Sequence, residues 1–213
     1  MALFILIFEI IGTIAFAVSG AITGLKKNMD IFGVCILGLT TAVGGGIIRD
    51  LILGITPPAA FRNPTNALLA IAVSIIIFIP VVRHGIFANN RVYELIMLIS
   101  DAAGLGIFTV CGARVAIDAG FSGNIFLTVF VAVLTGVGGG VIRDLFAGDR
   151  PYIFVKHIYA CAALAGAILC TLLWNTVGSG VSMVSGFALV IIIRMLAVKF
   201  HWNLPHAKEF SQQ

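Results

Sequence analysis

Two arginine–aspartate pairs lie inside apolar sequence, each a turn beyond three glycines: Gly44-Gly45-Gly46-Ile47-Ile48-Arg49-Asp50 and Gly138-Gly139-Gly140-Val141-Ile142-Arg143-Asp144. From Val43 to Pro57 the copies share ten of fifteen residues at an offset of 94, with Gly54 and Pro57 answered by Gly148 and Pro151. Charges in so apolar a setting face a partner or a cavity. Arg49, Asp50, Arg143 and Asp144 therefore read either as the two mouths of one pathway or as structural ion pairs at helix ends. Adjacent residues project about 100° apart on a helix, so each arginine is free to bond another helix rather than its neighbour. A glycine triplet weakens a helix. Gly44, Gly45, Gly46, Gly138, Gly139 and Gly140 thus predict two broken helices, whose freed carbonyls transiently coordinate a monovalent cation as in a selectivity filter. Close packing of helices is the other reading.

Further pairs extend the duplication at an offset of 92: Glu9 with Asp101, Phe16 with Phe108, Gly20 with Gly112. Glu9 and Asp101 either attract cations or pair across the repeats, with Arg143 and Arg49 respectively. Phe16 and Phe108 are candidate apolar gates, or packing residues. Arg62 and Lys156, and Asn63 and His157, match at the offset of 94; Lys156 and His157 read as ordinary interface anchors or as contacts to anionic lipid headgroups.

The elements that must position these groups are membrane helices. The chain has 213 residues, is 60% hydrophobic and 10% charged, and its mean hydropathy is +1.13. A soluble domain carries about 25% charged residues. Apolar runs of roughly 20 residues recur, which argues for helices rather than a barrel. The net charge of +4 does not indicate nucleic acid, because the basic residues sit in short connections and act as orientation signals. The first run contains Glu9 and lacks a basic start, so it reads as a retained helix rather than a leader.

Seven spans are predicted: 3–24, 31–53, 65–82, 92–116, 124–147, 154–174 and 181–199. The fold class is an all-α integral membrane protein, two inverted three-helix repeats plus a seventh helix. Three helices are an odd number, so the second repeat enters from the opposite side. The chain divides into repeat one at 1–90, repeat two at 91–176, and the last helix with its tail at 177–213. Lys26, Lys27, Arg83, Arg91, Arg143, Arg150, Lys156, Lys199 and Lys208 fall on one side, against Arg49, Arg62 and Arg114 on the other. The positive-inside rule puts the N-terminus outside and the C-terminus in the cytoplasm, in a cell inner membrane.

No enzyme is indicated. The glycines precede no Lys-Ser or Lys-Thr, so they form no phosphate loop. Cys35, Cys111, Cys161 and Cys170 lack metal-ligand spacing and read as packing residues. No cofactor and no tightly bound metal is expected.

The doubled Gly-Gly-Gly-x-x-Arg-Asp motif on a 3+3+1 helix plan resembles the prokaryotic TRIC family of trimeric intracellular cation channels, also described as a glycine transporter domain. The resemblance covers 3–199. It implies a homotrimer with one pore per subunit, lying between the repeats and permeable to K⁺ or Na⁺. The alternative is a secondary carrier for glycine or a similar small amino acid, since an inverted repeat suits alternating access.

Overall fold

The computed structural model describes residues 2–155 and 158–202, all of whose long elements are helices. They are α1 (Ala2–Lys26), α2 (Ile31–Ile52), α3 (Ala59–Arg62), α4 (Thr65–Phe78), α5 (Pro80–Phe87), α6 (Asn90–Ala116), α7 (Ile125–Phe146), α8 (Tyr152–Val155), α9 (Tyr159–Val177) and α10 (Ser179–Lys199). A π-helical turn, Ile117–Phe121, follows α6. Six helices are long and apolar enough to cross a bilayer, and α4 with α5 makes a seventh, bent span. Large apolar side chains such as Phe126, Leu68 and Leu172 point outward, as expected where the surroundings are lipid.

The repeats share their start and stop chemistry. Asp30 caps α2 by accepting from Gly33 N–H at 2.7 Å, and Asn124 caps α7 by accepting from Leu127 N–H at 3.0 Å. At the far ends, Ile55 N–H donates to the Asp50 carbonyl at 2.8 Å and Asp149 N–H to the Asp144 carbonyl at 2.9 Å. Gly54 at φ +72° and Gly148 at φ +70° supply the left-handed residue that such endings require.

The third span departs from expectation. The sequence predicts one helix over 65–82, but α4 ends at Phe78 and α5 leaves it at 74°. Pro80 forces the break: it lacks an N–H and drives Ile79 to an extended ψ of 131°. The 14 residues of α4 span about 21 Å, short of the hydrocarbon core. The sixth span also shifts, from 154–174 to Tyr159–Val177, because the chain first makes the short turn α8.

The glycine triplets do not break their helices, contrary to expectation. Both α2 and α7 remain α-helical through them. Instead the two helices cross backbone to backbone. A Cβ at Gly45 would run into the Thr135 carbonyl, and one at Gly139 into the Thr41 carbonyl; Gly138 would place its Cβ 3.1 Å from Gly45 Cα. Thr41 and Thr135 are themselves repeat mates. Removing side chains here gains close approach without costing either helix its hydrogen bonds.

Around this crossing, α1 packs on α2 and α6 on α7. Their contacts repeat too: a Cβ at Gly20 would meet Thr41 Oγ1 at 2.6 Å, and one at Gly112 would meet Thr135 Oγ1 at 2.7 Å. The unpaired α10 packs on α9 through a glycine pair, where a Cβ on Gly166 or on Gly186 would lie 2.8 Å from the other's carbonyl oxygen.

Candidate functional site

A cavity of about 170 Å³ opens between the repeats at the end of α1 where the chain begins. Glu9 and Thr13 of α1, Gly46 and Arg49 of α2, and Asn63 and Asn66 form its polar wall; Phe108 and Cys111 close it from α6. Phe108 stacks on the buried Phe16 with ring centroids 5.3 Å apart, so the two candidate gates do meet beside the cavity.

Each motif aspartate does the same two jobs. Arg49 Nε donates to Asp50 Oδ1 at 2.8 Å, while Asp50 Oδ2 accepts from Ala59 N–H at 2.8 Å. Arg143 Nε donates to Asp144 Oδ1 at 2.8 Å, while Asp144 Oδ2 accepts from Tyr152 N–H at 2.8 Å. Each arginine therefore does bond its own neighbour, and each aspartate pins the first residue of a short helix, α3 or α8. Backbone donors left at a helix start require such acceptors.

The arginines then differ. Arg49 keeps 12% of its side chain exposed and borders the cavity with Glu9. Arg143 is wholly buried: it pairs with Asp101 at 2.6 Å and with Asp144 at 2.8 Å, donates to Ser19 Oγ, and lies 4.9 Å over the Tyr152 ring. Asp101 also lies 4.0 Å from Arg194 of α10. Two arginines and two aspartates thus balance in the interior, as buried charge must. The expected cross-repeat pairs are absent among the described residues. Asp101 meets Arg143 within its own repeat, because α6 packs its carboxylate against the adjacent α7, and Glu9 meets not Arg143 but Arg114 of the other repeat, at 3.9 Å. Glu9 and Arg49 are thus partly exposed at one end, while Asp101 and Arg143 are buried at the other, the closed end, behind a wider cavity of about 520 Å³ lined by Lys26, Tyr93, Asp101, Tyr152 and Arg194.

One face of α1 links the ends. Glu9, Thr13, Phe16, Ser19, Thr23 and Lys26 follow at helical spacing. Glu9 and Thr13 line the open cavity; Thr23 and Lys26 line a second one of about 150 Å³ with Asp144, Asp149 and Tyr152. Phe16, against Phe108, and Ser19, against Arg143, occupy the interval.

Sequence reasoning missed Arg194, Ser19, Thr13 and Thr23. Arg194 carried a signal, a lone charge inside the last apolar run. The α1 hydroxyls carried another, polar residues every third or fourth position beside Glu9. Lys156 and His157 lie outside the described residues. Among the described residues no cluster of His, Cys, Asp or Glu is arranged to hold a metal ion, and all four cysteines are free.

A family model described as glycine transporter matches residues 6–81 and 98–175. Membrane protein YvgT of Bacillus subtilis (strain 168) is 36% identical over 203 residues, covering 94% of this chain and 95% of that one. Inner membrane protein YadS of Escherichia coli (strain K12) is 35% identical over 199 residues, covering 92% and 93%. A solved structure described for conductance through TRIC cation channels is 37% identical, with a TM-score of 0.85 over 97% of this chain and 98% of that one. The TRIC trimeric intracellular cation channel orthologue from Rhodobacter sphaeroides is 32% identical, with a TM-score of 0.84 over 93% and 98%.

Proposed function

The chain belongs to the prokaryotic TRIC family, and from that membership we propose that it is a K⁺-permeable, monovalent-cation channel with one pore in each subunit of a homotrimer. The observation that carries the reading is the pair of polar cavities at opposite ends of one face of α1. A cation enters beside Glu9, whose carboxylate offsets the local positive charge, while Arg49 is neutralised by Asp50. The hydroxyls of Thr13, Ser19 and Thr23 then offer weak, successive oxygen ligands of the kind conduction needs. Because the helices are unbroken, Gly46 serves by leaving the cavity wall open rather than by freeing a carbonyl. Phe16 with Phe108, and Arg143 with Asp101, are the two closures on the route. The basic bias puts the closed, lysine-rich end in the cytoplasm and the N-terminus outside a cell inner membrane. No cofactor takes part.

One observation favours a second reading. Cavities that enter from opposite ends and stop at Phe16–Phe108 and at Arg143–Asp101, between inverted repeats, also suit an alternating-access carrier. Glycine, a small zwitterion, would then sit between Glu9 and Arg49. Purified protein in liposomes separates the two. Fast K⁺ flux down a gradient, indifferent to added glycine, is the expected result. Saturable uptake of labelled glycine without a K⁺ leak would overturn the channel in favour of the carrier.

A further inference from the structure

The two ends of the passage are tied by different chemistry. Lys27 lies three residues before the α2 cap Asp30, as Phe121 lies three before the α7 cap Asn124. Asp149 and Ile55 hold equivalent places after the motif, each donating its N–H to the motif aspartate's carbonyl. Phe121 and Ile55 are therefore the repeat counterparts of Lys27 and Asp149. At the open end both pack on the apolar cluster of Leu53, Ala116 and Val131. At the closed end the equivalent residues form an ion pair at 2.6 Å, with side chains 34% and 47% exposed. That pair joins the α1–α2 turn of one repeat to the α7–α8 connection of the other. It borders the cavity that holds Thr23 and Asp144.

We propose that Lys27 and Asp149 form a salt-sensitive latch on the closed mouth, so that ionic strength at that face sets how often the mouth opens. The inference rests on the channel reading for its consequence, but its geometry stands alone. An ion pair between half-exposed side chains contributes little, and salt screens it. The screening length falls from about 30 Å at 0.01 M to about 3 Å at 1 M ionic strength. Apolar burial, the tie at the other end, is not weakened by screening and is strengthened by excluded salts. Of the two ends, the lysine-rich one therefore yields as ionic strength rises. Lys26 lines the same cavity, but its ammonium lies over the Tyr93 ring at 4.9 Å and makes no ion pair with Asp149 within 4.0 Å.

Thr23→Cys reports on the mouth directly. The variant protein, in nanodiscs, is exposed to an uncharged maleimide, and modification of the α1 peptide is followed by mass, which separates it from the native cysteines. Modification should rise about threefold between 0.01 M and 1 M choline chloride, the factor expected when an exposed pair is screened out. Adding Lys27→Gln should make modification fast and flat with salt. Adding Lys27→Asp with Asp149→Lys, which restores the pair reversed, should return both the slow rate and the salt dependence. If Lys27→Gln keeps the parent's rate and slope, the latch is wrong. K⁺ flux measured with Thr23 intact, on the parent protein and on Lys27→Gln, tells the two ideas apart. Salt-dependent modification without flux would sink the channel and spare the latch; flux with modification indifferent to Lys27 would do the reverse.

Discussion

At the residue scale, the six motif glycines are not interchangeable. A Cβ on Gly45 meets backbone, the Thr135 carbonyl, which cannot retreat like a side-chain tip. Gly45→Ala should destabilise by about 1–3 kcal/mol through overpacking, read as a lower melting temperature of the purified protein. A Cβ on Gly46 meets only the Arg49 guanidinium tip, at 3.8 Å. Gly46→Ala should leave the melting temperature alone and reduce K⁺ flux, because it fills cavity wall. The carboxylates divide in the same way. Asp101→Asn leaves Arg143 buried with one partner fewer and should cost about 3 kcal/mol. Glu9→Gln acts on a partly exposed group 3.9 Å from its partner. It should cost less than about 1 kcal/mol while lowering cation flux. Equal stability losses in the two variants would contradict the open-and-closed assignment of the two ends.

At the element scale, helix starts are the most repeat-like feature. Asp30→Ala and Asn124→Ala each remove one acceptor from an exposed helix N-terminus and should each cost about 1 kcal/mol, seen as similar shifts in melting temperature. Much of this level was legible in the sequence. The motif offset, the seven apolar runs and the odd parity of three sufficed for an inverted repeat, because lipid allows so few alternatives to a spanning helix. What escaped was tertiary. Three glycines signal a break if the helix stands alone, yet here they lie where another backbone arrives, and only packing reveals that. The apolar run continues across Pro80, so hydropathy alone reads as one span what the proline bends by 74°. Arg194 was overlooked because its partner, Asp101, lies 93 positions away in sequence.

At the scale of the whole molecule, a pore along this face of α1 would set its closures in series. Phe108→Ala should enlarge the cavity beside Glu9 and raise K⁺ flux only if the aromatic pair limits it. With Arg143, Asp101 and Ser19 still joined, the expected result is a small rise. Combined with Lys27→Gln the rise should exceed the sum of the two. A flux measurement showing simple addition would mean that the closures lie on separate paths.

The crossing of α2 and α7 has an implication for ancestry. Each half offers the other the same residues: Gly45 receives Thr135, and Gly139 receives Thr41. Two identical chains make such a self-complementary contact around a twofold axis. A three-helix ancestor inserting in both senses would have made it with itself, and gene fusion would then have fixed a partnership that already existed. Cutting the chain between α5 and α6 and expressing the halves together should therefore recover the assembled protein. Failure of the halves to find each other would mean that the connection between α5 and α6 came first.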